Sequence, residues 1–352
     1  MLSYETLRSL LFKLPPETAH TLAEFALRTA ALTPFALGAV AARCVSQADL
    51  KQTIFGLKFP NPIGIGAGFD KNGTMIRPLA ALGFGFIEVG TGTPKAQSGN
   101  PKPRMWRHIG EHSLQNAMGF NNDGLEAIVR RVSALQPFVL PIGINLGKNK
   151  TTPNEKALED YRVGIEKAAN GADYLVFNLS SPNTPNLRDL QSESFVRDLF
   201  ALARTLTTKP ILLKIAPDLD AANAIAIAQT AIECGASGVI ATNTTNDYSL
   251  IAGSQTRGGG LSGAILAEKS RALFDALSAE LYGKTVLISC GGIMDADEAW
   301  QRIKMGASLI QVFTGLIYGG AGFAATLADG IWERLNREGF TKIEDAIGSL
   351  RR

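Results

Sequence analysis

Apolar positions change period along this chain. Leu7, Leu10, Leu11 and Leu14 recur at i, i+3, i+4 and i+7, and beyond Pro15-Pro16 the set Ala19, Leu22, Ala23, Ala26 and Ala30 does the same. That is the spacing of one helical face. Two short amphipathic helices are predicted, with Pro16 at a first helical position and Pro34 opening a third apolar piece over residues 35–42. Such stripes have two readings: a helical cap on a larger core, or a patch that meets a membrane surface.

From Ile54 onward continuous apolar runs alternate with helical periods such as Ala157, Tyr161, Ile165, Ala168 and Ala296, Trp300, Ile303. Four runs follow a Gly that would end the preceding helix in the left-handed conformation: Gly83, Gly171, Gly235 and Gly306. Three others start at Pro62, Pro141 and Pro210, where a strand tolerates proline, and one starts at Thr285 without it. The two types alternate, giving eight βα units and predicting a closed (β/α)8 TIM barrel behind a small N-terminal helical extension. The division expected is 1–45 and 46–352. An open doubly wound sheet is the alternative, but no Gly-rich dinucleotide fingerprint follows the first strand.

Composition narrows the function. Lys+Arg at 35 against Asp+Glu at 32 is too balanced for a nucleic-acid binder. Three widely spaced cysteines, Cys44, Cys234 and Cys290, fit a reducing compartment. No signal peptide is expected, and the uncharged stretch 29–42 is too short to span a bilayer.

Barrels bind ligands at the C-terminal ends of their strands. Those ends carry Ala67-Gly68 through Lys71, Gly90-Thr91, Asn145, Asn178, Lys214, Thr242-Asn243-Thr244, Gly291-Gly292 and Phe313-Thr314. Amides, hydroxyls and a lysine after fully apolar strands suit a planar heteroaromatic ligand. Gly259-Gly260-Leu-Ser-Gly263, Gly291-Gly292 and Phe313-Thr314-Gly315 would bring backbone N–H groups to a phosphate, although each alone is also an ordinary tight turn. Flavin mononucleotide (FMN) fits both features, with Lys214 beside the ring edge that becomes negative on reduction. His108 and His112 have the i, i+4 spacing of ligands on one helical face but no third ligand, so no metal is expected, and no histidine neighbours a candidate nucleophile.

Seven segments carry a family resemblance: Gly66-Ala-Gly-Phe-Asp-Lys-Asn72, Val89-Gly-Thr-Gly-Thr-Pro94, Asn116-Ala-Met-Gly-Phe-Asn-Asn122, Gly143-Ile-Asn-Leu-Gly-Lys-Asn149, Asn178-Leu-Ser-Ser-Pro-Asn-Thr-Pro-Asn-Leu-Arg188, Leu213-Lys-Ile-Ala-Pro-Asp218 and Ala241-Thr-Asn-Thr-Thr245. Over essentially its whole length the chain resembles the class 2, quinone-dependent dihydroorotate dehydrogenases of pyrimidine synthesis. The resemblance implies an FMN barrel that oxidises dihydroorotate to orotate and passes electrons to a membrane quinone. It implies a monomer held peripherally at the cytoplasmic face of the inner membrane by residues 1–45.

Carried over by motif, FMN would contact Ala67, Gly68, Phe69, Asp70, Lys71, Thr91, Asn145, Asn178, Lys214, Thr242, Gly263, Gly292, Phe313 and Thr314. Substrate would meet Lys71, Asn116, Ala117, Met118, Gly119, Phe120, Asn178, Asn183, Asn243 and Thr244. Ser181 would be the base at C5, where class 1 enzymes have Cys. A serine hydroxyl acts as a base only with an exit for its own proton, and Thr184 is the nearest candidate in sequence. The bland alternative is that Ser180-Ser181-Pro182-Asn183 is only a turn. One departure stands out: Ala117 replaces the arginine usual in the family's Asn-Arg-Met-Gly-Phe loop. Competing functions are an FMN barrel reducing a soluble acceptor such as fumarate or NAD, and a binding barrel without turnover.

Overall fold

In the computed structural model, which describes residues 4–352, eight parallel strands close into a barrel. The hairpin β1 (Gln52–Ile54) and β2 (Leu57–Phe59) precedes them. The staves, with their following helices, are β3 (Ile63–Ile65) and α4 (Ile76–Ala81), β4 (Phe86–Gly92) and α5 (Leu125–Ser133), β7 (Ile142–Leu146) and α6 (Ala157–Ala168), and β8 (Tyr174–Asn178) and α7 (Glu193–Leu206). The second half comprises β9 (Ile211–Ile215) and α8 (Ala221–Glu233), β10 (Gly238–Ala241) and α9 (Ala267–Leu281), β12 (Val286–Cys290) and α10 (Ala296–Lys304), and β13 (Leu309–Val312). After β13 come α11 (Thr314–Gly319), α12 (Phe323–Arg337) and α13 (Ile343–Ala346). Pairing of Ile310 with Ile63 closes the ring and removes the open-sheet alternative.

The start signals in the sequence work for partly different reasons. Pro62, Pro141 and Pro210 each immediately precede a strand. Gly83, Gly235 and Gly306 have φ of +88°, +97° and +120°, as the left-handed helix end requires. Gly171 has no positive φ; a Cβ there would come 2.7 Å from Val129 Cγ1, so space selects it.

Strand alternation builds the interior in layers. Phe86, Tyr174, Val176, Leu212, Ile240, Ile288 and Leu309 pack with Ile54 and Phe59 of the hairpin, which seals the N-terminal end. Counting two residues toward the C-terminal end from these inward side chains reaches Glu88, Asn178, Lys214, Thr242, Cys290 and Gln311, so a polar layer lies on the apolar one.

Two insertions not expected as strands roof the mouth. β5 (Met105–His108) and β6 (Ser113–Asn116) form a hairpin after β4, and β11 (Gly260–Gly263), after β10, pairs antiparallel with β6. His108 therefore sits on a strand and His112 on the turn beyond it, not on one helical face.

Of the N-terminal helices, α1 (Tyr4–Leu11) is tied to α11, α2 (Pro16–Ala30) lies against this roof and α4, and α3 (Pro34–Cys44) lies against α4 and α12. Tyr4 donates to Ile317 O at 2.7 Å, Arg8 to Tyr318 O at 2.8 Å and Arg107 to Leu14 O at 2.7 Å. Their other face is open: Phe25, Leu32 and Phe35 are 70%, 80% and 89% exposed, with Leu7, Leu10 and Leu22 also exposed and Leu11 and Leu14 half-buried. No single helix among the described residues is long and apolar enough to cross a membrane.

Gly64 makes room for the Phe86 ring, whose Cζ would lie 2.3 Å from a Cβ. Gly64→Ala should lower stability by about 1–3 kcal/mol through overpacking. Phe86→Leu in that background should recover part of the loss, read as the midpoint of denaturant unfolding.

Candidate active site

The barrel mouth is a single cavity whose floor is the polar layer. Glu88, wholly buried, is its hub: it accepts from Asn145 Nδ2 at 2.7 Å and from Gln311 Nε2, and its Oε1 lies 3.9 Å from Lys214 Nζ. Lys214 donates to Gln311 Oε1 at 3.2 Å, and its ammonium faces the cavity. Asn145 Oδ1 accepts from Thr91 Oγ1 at 2.5 Å and Asn178 Nδ2 at 3.2 Å, while Asn178 Nδ2 also reaches Thr91 Oγ1 at 2.9 Å. Asn243 Nδ2 continues the chain to Ser180 Oγ at 2.9 Å. Amides at these strand ends are thereby fixed in direction before any ligand arrives. Glu88 and Gln311, inside apolar runs, were not singled out by the sequence.

The wall gathers most of the predicted residues. Ala67, Gly68, Lys71, Thr91, Asn178, Lys214, Thr242, Gly263, Gly292, Phe313 and Thr314 line the cavity, as do Asn116, Met118, Gly119, Phe120, Ser181, Asn183, Asn243 and Thr244. Five expected residues do not line it. Asn145 lies beneath the floor, its amide consumed by Glu88, Thr91 and Asn178. The Asp70 carboxylate turns into its own loop, accepting from Met75 N at 2.7 Å and Thr74 N at 2.9 Å. Phe69 packs edge-on between His20 and Phe313. Ala117 sits behind the wall, its carbonyl held by Asn100 Nδ2 at 2.9 Å. Thr184 is buried and its hydroxyl has no partner, so no direct Ser181–Thr184 hydrogen bond exists.

Ser181 is buried on a loop that is fastened at both sides. Its Oγ accepts from Asn183 N at 3.2 Å. Arg188 donates through Nε to Ser180 O at 2.9 Å, through Nη2 to Thr244 O at 2.7 Å and through Nη1 to Asp218 Oδ2 at 2.6 Å. Lys269 backs Asp218 at 2.9 Å. The planar fork joins the loops after β8 and β10, which a lysine could not do with one nitrogen. Opposite, the fully buried Arg302 donates to Ser289 Oγ at 3.0 Å, Ser270 Oγ at 2.9 Å and Gly291 O at 3.4 Å, pinning the Gly291-Gly292 turn. A Cβ at Gly292, where φ is +74°, would meet Ala267 Cα at 2.2 Å.

Burial, reinforced by Arg104, lowers the Lys71 pKa to about 8. Burial and the nearby Lys71 lower His20 to about 4, so it is neutral at physiological pH. Two wall atoms, Asn183 Oδ1 and Thr244 Oγ1, are buried without partners, which costs about 1–3 kcal/mol each until a ligand pairs them.

Residues 49–335 match the dihydroorotate dehydrogenase family. The chain belongs to the dihydroorotate dehydrogenase family. Curated relatives named dihydroorotate dehydrogenase (quinone) include those of a Nitratiruptor species, 53% identical over 99% of both chains, and Sulfurimonas denitrificans, 52% identical over 100% of both. The protein of that name from a Mycobacterium species is 44% identical over 100% of both. A dihydroorotate dehydrogenase (DHODH) from Eimeria tenella, solved in complex with ferulenol, superposes with a TM-score of 0.87 at 35% identity over 96% of each chain.

Arg188→Lys should keep the fold, with a thermal midpoint within a few degrees of the parent. It should lower turnover by about 100-fold, the cost of a small misplacement of reacting groups. Steady-state kinetics beside thermal unfolding would check both halves.

Proposed function

We propose that the chain oxidises (S)-dihydroorotate to orotate in de novo pyrimidine synthesis and delivers the electrons to a quinone, with FMN as its cofactor. The observation that carries the reading is one cavity wall bearing Lys71, Lys214, Ser181 and the two orphaned polar atoms of Asn183 and Thr244. The curated relatives are named for quinone, which favours that acceptor over fumarate or NAD.

The residues suit FMN. Ala67, Gly68, Thr91, Asn178, Lys214 and Thr242 would surround the ring system, while Gly263, Gly292, Phe313 and Thr314 would hold the phosphate end. Bound FMN supplies the acceptor for the substrate's C6 hydride and the relay toward quinone. Lys214, with one hydrogen bond made to the protein, keeps donors for a ring atom that gains negative charge. Asn145, Phe69 and Asp70 serve from behind, as support for residues that touch.

Substrate would be held by Lys71 at its carboxylate and by Asn116, Asn178, Asn183, Asn243 and Thr244 at its ring amides. The backbone of Ala117, Met118, Gly119 and Phe120 would complete the site. With Asn100 on the Ala117 carbonyl and Gln97 Nε2 on the Gly119 and Phe120 carbonyls at 3.1 Å each, that loop keeps its place without the family's arginine.

Ser181 takes the C5 proton on Oγ. The Asn183 N–H at that oxygen favours the negative charge that develops as the hydroxyl's own proton passes to solvent water. Ser181→Ala should slow dihydroorotate oxidation in rapid mixing by about 10²–10⁴-fold while orotate affinity stays near that of the parent. An unaltered rate would remove Ser181 from this role.

The open apolar face of α1–α3 would rest on the lipid from which quinone arrives. Two of its acidic residues, Glu17 and Glu24, turn inward to Arg104 and Thr74, so apolar area dominates outside. Phe25→Asp combined with Phe35→Asp should abolish flotation with liposomes and reduce long-chain quinone turnover. Bleaching of the yellow protein by dihydroorotate should persist. Flotation that survives the double substitution would leave the helices as a cap only.

A further inference from the structure

Behind the substrate wall lies a second, polar cavity, between α2 and the loop 69–75. Glu17, His20, Glu24, Asp70 and Lys71 line it, and Lys71 borders the active-site cavity too. The Lys71 ammonium donates to Gly68 O at 2.6 Å, yet among the described residues no carboxylate lies within ion-pair distance of it. Its charge is compensated only through space.

Several groups face it. From its own loop comes Asp70, whose carboxylate is spent on backbone N–H groups. From the segment before β5 comes Arg104, a like charge. From α2 come neutral His20 and the carboxylates of Glu17 and Glu24. Glu17 holds Arg104 at 2.8 Å and Lys102 at 3.4 Å, and Glu24 accepts from Thr74 Oγ1 at 2.7 Å. Both acids are thus fixed on the inner face of a helix whose outer face is proposed to meet lipid.

We propose that α2 takes part in substrate binding: Glu17 and Glu24 are positioning residues whose carboxylates let the buried Lys71 ammonium meet an anionic substrate, so the seat of the N-terminal helices sets that affinity. The proposal rests on the reading that Lys71 binds the substrate carboxylate. Burial and Arg104 pull the Lys71 pKa down to about 8, while Glu17, Asp70 and Glu24 oppose them. Glu17→Gln both removes an opposing negative charge and unmasks Arg104, so the two effects have one sign. Lys71 would lose its proton at lower pH, and binding of an anion would fail earlier as pH rises. Glu24→Gln is the cleaner variant, because the amide oxygen still accepts from Thr74.

Calorimetric titration of orotate into the full-length protein between pH 6 and pH 9 tests this. At pH 6, where Lys71 is protonated in every variant, Glu17→Gln and Glu24→Gln should bind orotate as the parent does. Above pH 8 they should bind about three- to tenfold more weakly, with the alkaline limb displaced to lower pH. Weakening by the same factor at every pH, or no weakening at all, would overturn the proposal and leave the acids as mere packing contacts. Lys71→Gln separates the underlying reading: orotate affinity should be lost across the whole range. If it is retained, Lys71 does not bind the carboxylate and the reading beneath the proposal fails first.

Discussion

A carboxylate buried at the centre of the barrel constrains almost everything above it. Glu88 has no access to solvent, and a lone ionised carboxylate in such a place is untenable unless paired and hydrogen-bonded. Three different staves supply the partners: Asn145 from β7, Lys214 from β9 and Gln311 from β13. Those three side chains cannot then choose their directions freely. Asn145 presents its oxygen upward to Thr91 and Asn178, Asn178 orients Asn243, and the chain ends at Ser180, beside the proposed base. Removing Glu88 would leave Lys214 a buried charge without an anion, so the two act as a unit whatever the pair's net contribution to stability.

The eight staves could be read from the chain because each is short and apolar and seven of them are announced by Gly or Pro, signals that act within a few residues. The polar floor was legible only in part. Asn145, Asn178, Lys214 and Thr242 lie at or within one residue of the ends of their apolar runs and stand out. Glu88 sits between Ile87 and Val89, and Gln311 between Ile310 and Val312, where a continuous apolar run conceals them. Period-2 alternation aligned across neighbouring strands would have revealed both, since each lies two positions beyond a core residue, Phe86 or Leu309.

The roof was harder to see. Residues 259–263 read as a glycine turn for phosphate, yet 260–263 form a strand whose partner, 113–116, lies well over a hundred residues earlier. No local period reports such a pairing. Arg188 and Asp218 were visible as motif residues without a task, and the task is tertiary: one guanidinium gathers carbonyls from two loops. Arg302 gave no signal at all, because an arginine on an amphipathic helix reads as solvated until its five donors are found inside.

The same helix, α2, shows why burial pattern and function had to be separated residue by residue. Its residues Leu22 and Phe25 point outward while its acids Glu17 and Glu24 point inward alongside Ala19 and Leu27, a partial reversal of a helix capping an ordinary core. Inversion of this kind is costly unless both faces have partners. Inside, Arg104 and Thr74 receive the acids; outside, the proposed contact with lipid would relieve the 70% exposure of Phe25. A segment whose polar face borders the proposed substrate site and whose apolar face is proposed to meet lipid cannot be optimised for either alone. On these proposals the substrate site and the surface from which quinone would arrive are joined through one amphipathic helix.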